Sequence, residues 1–169
     1  MTLNEMLDRL LEREGGYIDD PADAGGETKY GITRATLEDW RKEPLPEHAI
    51  LNLTRAEAKD IYVAKYFIPG RVSSLPVALK EVMFDTCVNF GVKKAVRLLQ
   101  AALNEQGACL VIDGEIGNKT LQTAASCDPD RARIAMVKHR VLYRDQQAIA
   151  DRTQLDFLRG WHTRDLSFL

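Results

Sequence analysis

A chain of 169 residues, 45% hydrophobic and 28% charged, has the length of one domain or of two small lobes on a shared core, and the balance of a globular protein. No apolar run approaches the ~18 residues that a membrane span needs, and the N-terminal MTLNEMLDRLLER carries acids early without a small-residue cleavage site, so neither a membrane span nor a signal peptide is expected. The net charge of −2 is uneven: residues 1–91 hold 16 acids against 11 bases, and residues 92–169 hold 9 against 12. The second half is thus suited to face an anionic polymer while the first carries acid chemistry; ordinary solvated faces account for the same counts.

In chain order the pattern is helical almost throughout. Thr2 and Glu5 form a capping box ahead of Leu3, Met6, Leu7, Leu10 and Leu11, which recur at helical spacing until Gly15-Gly16. Residues 17–33 are rich in glycine and acids and read as an irregular loop or short hairpin. Thr33 caps a short helix through Trp40. Thr54 and Glu57 make a second capping box, with the helix ending at Pro69-Gly70. Pro76 opens a nearly all-apolar helix, Val77 to Phe90, expected to be buried. Val92 to Leu103 forms another helix, and residues 107–117 a loop. Asp128-Pro129 opens a long helix to about Ala150, and a last short helix runs from Thr153 to Trp161. The fold class is mainly α. The division falls near residue 91, giving a catalytic region 1–91 and a helical region 92–169 packed against it as one compact unit.

The candidate for chemistry is Glu14. It continues the stripe of Leu7 and Leu10, so its carboxyl is aimed toward the core side at the last turn of the helix. Partial burial, the negative end of the helix and the crowd of Glu12, Asp19, Asp20, Asp23 and Glu27 all favour a retained proton. A protonated carboxyl is what glycoside hydrolysis needs to release its leaving oxygen. Asp23 supplies a second carboxylate, the group that activates water or attacks the sugar, and Thr28 is placed to hold that water. A surface glutamate at a frayed helix end, or a calcium loop of Asp19, Asp20, Asp23 and Glu27, would also satisfy the pattern, although the latter lacks the EF-hand order.

The segment Glu14-Gly-Gly-Tyr17, then Asp20-Pro-Ala-Asp23-Ala-Gly-Gly-Glu-Thr28-Lys-Tyr30-Gly-Ile-Thr33, closely resembles the signature of the glycoside hydrolase family 108 muramidases, found in phage lysis and in bacterial secretion accessory roles. Leu53-Thr54, Ala58, Ile61-Tyr62 and Tyr66 resemble a second family segment, and Phe84-Asp85 with Val88-Asn89 and Gly91 a third. Leu99-Gln100, Asp113-Gly114, Gly117, Thr120-Leu121 and Gly160-Trp161 are similar to the peptidoglycan-binding region that often follows. The resemblance implies a lysozyme-like helical fold, Glu14 as catalytic acid, and cleavage of the β-1,4 bond between N-acetylmuramic acid and N-acetylglucosamine. A more distant resemblance is to phage T4-type lysozymes, whose Glu, Asp and Thr order fits Glu14, Asp23 and Thr28, with Thr28 one residue early; inversion at the anomeric carbon is expected by that analogy.

Tyr17, Asp20, Tyr30, Asp85 and Asn89 are candidate substrate-binding residues. Asp85 and Asn89, one turn apart on the apolar helix, either line the cleft behind Glu14 or tie the loop of residues 17–33 to the helix. Trp161 reads as core or as a sugar platform. Arg131, Arg133, Lys138, Arg140 and Arg144 read as a solvated basic face, or secondly as a contact to anionic cell wall, without a nucleic-acid motif. His48, His139 and His162 lack metal spacing, so no metal or other cofactor is expected. Cys87 is expected to be a buried free thiol, and a Cys109–Cys127 disulfide is open. Two rival activities share the motif, a lytic transglycosylase and a non-catalytic cell-wall-binding secretion accessory protein. The expected partners are peptidoglycan glycan strands and a holin or secretion machinery. The chain is expected to be made in the cytoplasm and to act on the wall in the periplasm after holin-type release or lysis.

Overall fold

The N-terminal capping box forms. Thr2 Oγ1 accepts from the Glu5 backbone N–H, and the Glu5 carboxylate accepts from the Thr2 N–H at 2.7 Å. This starts α1, Leu3–Glu14, which buries Met6, Leu7, Leu10 and Leu11. Gly15 ends it at φ 83°, ψ −177°, a region open essentially to glycine alone. The computed structural model describes residues 1–19 and 26–169.

A three-stranded antiparallel sheet follows, made of β1 (Tyr17–Ile18), β2 (Thr28–Lys29) and β3 (Ile32–Thr33). Its pairs are Tyr17 with Lys29, Ile18 with Thr28, Thr28 with Thr33 and Lys29 with Ile32. Tyr30 and Gly31 alone join β2 to β3, with φ of 53° and 70°. Positive φ at both central residues is the type I′ pattern whose twist matches a tight hairpin. Thr33 then caps α2, Arg34–Arg41, by accepting from the Thr36 N–H at 3.3 Å. Thr54 caps α3, Arg55–Tyr62, in the same way through Glu57. The Glu57 carboxylate does not return to the cap; Arg41 takes it in a two-bond fork, 2.8 Å to each oxygen. Fork pairing with arginine is the stronger bond. A π-helical turn, Val63–Phe67, continues α3. α1 packs on α3, and Asp8 of α1 is held by Arg55 at 2.7 Å and Lys59 at 2.8 Å.

By compactness the chain divides into residues 1–65 and 66–169. In the second unit α4 (Val77–Phe90) is buried continuously from Val82 to Cys87, among α5 (Val92–Asn104) and α7 (Pro129–Ala150). Asp128 caps α7 with two backbone bonds and Pro129 occupies its first position. α6 (Asn118–Ser126) was not expected from the sequence, because only Thr120 and Ala124 are buried and the apolar stripe is too thin to register. α8, Leu155–Leu166, runs a turn beyond the expected end, preceded by a 3₁₀ turn at Arg152–Gln154. None of the described helices is long and apolar enough to cross a membrane.

Two expectations are corrected here. Cys109 and Cys127 are free thiols, so the disulfide left open between them is not formed; Cys87 is free and buried. The basic face of α7 is only partly solvated: Arg131 and Lys138 are exposed, whereas Arg140 and Arg144 are buried. Their acidic partners lie far away in sequence, which periodicity along one helix does not reveal.

Candidate active site

Glu14 is the last residue of α1 and is half-buried. Its environment is set by the β2–β3 hairpin. A Cβ built on Gly31 would lie 2.8 Å from Glu14 Oε2, 3.2 Å from Glu14 Cβ and 2.8 Å from the Tyr62 hydroxyl. Only glycine both adopts the positive φ of the turn and lets the main chain come this close to the carboxyl. The Tyr62 hydroxyl donates to the Tyr30 carbonyl at 2.7 Å, which fixes the turn from the α3 side. Glu14, the Tyr30–Gly31 turn and Tyr62 thus form one cluster. Gly31 and Tyr62 lie in the first and second family-like segments, and the sequence signal for their role is slight: a glycine at the tip of a two-residue hairpin.

Thr28 sits half-buried in β2, paired on both sides. Tyr30 is half-buried, with the Lys29 ammonium 5.5 Å from its ring centre. Tyr17 is exposed and its hydroxyl donates to Glu27 Oε2 at 3.2 Å. Glu27 also accepts from Arg34 at 3.0 Å, and Arg34 reaches the Leu45 carbonyl at 2.6 Å. Tyr17, Glu27 and Arg34 therefore anchor the return of the chain into β2. Asp20 and Asp23 lie outside the described residues.

Asp85 and Asn89 lie on α4, in the second unit. Asp85 is 2% exposed, and its oxygens accept from Arg140 at 2.7 Å and Arg164 at 2.8 Å. Burial works to raise its pKa, but the charges of Arg140 and Arg164 outweigh it and hold the carboxyl below the ordinary range. Arg140 also bonds Asp165 at 2.8 Å and Thr86 at 3.0 Å. Asn89 donates to the Asp85 carbonyl at 3.0 Å and accepts from Arg144 at 3.4 Å. The Arg144 guanidinium lies 4.6 Å from the Trp161 ring, which itself stacks on Phe157 at 6.0 Å. The third motif is therefore a buried ion network joining α4, α7 and α8.

The motif of the later half is a loop clamp. Gln100 donates to Asp113 at 2.8 Å and accepts from the Gly114 N–H at 3.0 Å. Gly114 has φ 83°, and a Cβ there would lie 2.7 Å from the Lys93 carbonyl. Asn104 pairs with both backbone groups of Leu110, at 2.8 and 2.9 Å.

The Glycosyl hydrolase 108 family matches residues 7–91, the stretch that holds Glu14, the hairpin and Tyr62. The chain belongs to that family. The domain described as Predicted Peptidoglycan domain matches residues 94–166. Among solved structures the chain is similar to SagA of Brucella abortus, with 27% identity, a TM-score of 0.77, and coverage of 98% of this chain and 94% of that one. No curated protein matches. The family boundary at 91–94 and the division by compactness at Lys65 differ, because α4 belongs by sequence to the first and by packing to the helices of the second. The chain is mainly helical and lysozyme-like, and the two matches support a peptidoglycan hydrolase.

Proposed function

We propose that this glycosyl hydrolase is an N-acetylmuramidase that cuts the β-1,4 bond from N-acetylmuramic acid to N-acetylglucosamine. The observation that supports it is Glu14 at the end of α1, its carboxyl against the Gly31 hairpin, within the region matched by the family. Glu14 gives its proton to the leaving oxygen of N-acetylglucosamine as the bond to the muramic C1 breaks. Water attacks C1, and Asp23 takes the proton from that water, assisted by Thr28. Inversion at C1 follows if Asp23 acts on water from the opposite face. Tyr17, Asp20 and Tyr30 border this loop and contact the glycan in this reading. The second matched domain holds the glycan strand in this reading.

The substrate lies outside the cytoplasm, and access through a separate holin or secretion route is part of the proposal. Muropeptides released from purified sacculi test the reaction. Reducing muramic ends are expected, with the inverted anomer by NMR. Products ending in 1,6-anhydromuramic acid would make the enzyme a lytic transglycosylase, and reducing N-acetylglucosamine ends would move the cut to the other bond.

A further inference from the structure

Tyr62 buries all but 3% of its surface at the end of α3, yet its hydroxyl is directed to the hairpin. We propose that Tyr62 is a positioning residue for Glu14, an inference that rests on Glu14 being the acid.

The geometry is a clamp. α1 ends in Glu14, and α3, packed on α1, ends in Tyr62. Between these two helix ends sits the Tyr30–Gly31 turn. One point, the place a Gly31 Cβ would occupy, lies 2.8 Å from both Glu14 Oε2 and the Tyr62 hydroxyl. The two oxygens are therefore no further apart than twice that distance. The Tyr62 hydroxyl donates to the Tyr30 carbonyl at 2.7 Å, so the phenol holds the turn by its main chain. The turn lies directly against the carboxyl and forms one wall of its surroundings. Tyr30, a bulky residue at φ 53°, is in a backbone region that such residues rarely enter, and the bond to its carbonyl stabilises that conformation. A carboxyl that must meet one glycosidic oxygen gains from such a wall, because small displacements of reacting groups cost large factors in rate.

Tyr62→Phe tests this, since it keeps the ring that fills the core and removes only the hydroxyl. Wild type, Tyr62→Phe and Glu14→Gln are compared on soluble muramyl-glucosaminyl oligosaccharides of defined length. Rates are normalised to the folded fraction from circular dichroism, and Gly31→Ala serves as a second variant that disturbs the wall from the other side. The expected result is a kcat roughly 10- to 100-fold lower for Tyr62→Phe with KM within about twofold of wild type, because the loss falls on the transition state alone. An unchanged kcat per folded enzyme, or a change confined to KM, would overturn the positioning role while leaving Glu14 in place. Wild-type activity in Glu14→Gln would remove the acid itself, and the inference with it.

Discussion

Gly31 meets the Glu14 carboxyl so closely that a single added methyl would stand 2.8 Å from its Oε2. Alanine at this position is also strained by the φ of 70°, worth about 1–2 kcal/mol. Gly31→Ala is therefore expected to lower the cleavage rate by about 100-fold or more and to reduce stability modestly. Sacculus digestion and thermal melting, run side by side, check it. An active, equally stable Gly31→Ala would show that the hairpin does not confine Glu14.

The Asp85–Arg140–Asp165 network predicts a separate class of effect. Removing one partner of a buried ion pair strands the other, at a cost of about 3–5 kcal/mol. Arg140→Met removes one guanidinium from each of Asp85 and Asp165 while Arg164 still bonds Asp85, and chemical denaturation is expected to show a loss toward the lower end of that range.

The same network carries a pH signature. The folded pKa of Asp85 is held below the value of 3.8 that it has when free. Its contribution is then fully present above that value and is lost as pH falls through the folded pKa. Acid unfolding monitored by circular dichroism should be steeper in wild type than in Asp85→Asn across the range below 3.8. Equal acid limbs would mean that the Asp85 charge is not linked to folding.

Thiol reactivity separates the three cysteines. Burial pushes the Cys87 thiol up to about 12, so it stays protonated and shielded at neutral pH. Alkylation of the native protein is expected to modify exposed Cys109 rapidly and Cys127 more slowly, and to reach Cys87 only on unfolding. Mass spectrometry of labelled peptides reads this directly.

The Gln100 clamp is testable by its loss. Gln100→Ala removes the bonds to Asp113 and Gly114 and leaves the Gly114 N–H and an Asp113 oxygen to find water, with an expected cost of about 1–3 kcal/mol. The loop of residues 107–117 should then exchange amide hydrogens faster, while cleavage of soluble oligosaccharides stays near wild type.

These tests follow how unevenly the sequence reports on the structure. Local signals were legible: Thr2 with Glu5, Thr33, Thr54 and Asp128-Pro129 all cap the helices they announce. Glycine and acids between Tyr17 and Thr33 mark the hairpin region, and the apolar stripe ahead of Gly15-Gly16 places Glu14 at the end of α1. What depended on distant partners was not legible. Arg140 reads as one more surface base until Asp85, 55 residues earlier, is found beside it. Asp85 and Asn89 stand out because polar groups on an apolar helix need partners, and the sequence does not name the arginines that bond them, Arg140, Arg144 and Arg164. Tyr62 was hidden because an aromatic at helical spacing reads as core, which its ring is, while the action of its hydroxyl appears only with the hairpin in place.

The most direct test of the central claim is muropeptide release from purified sacculi by Glu14→Gln, with sacculus binding measured on the same preparation. A loss of several orders of magnitude in reducing muramic ends, with binding retained and the fold intact, is the predicted result. Release at the wild-type rate by Glu14→Gln would contradict it and place the acid elsewhere.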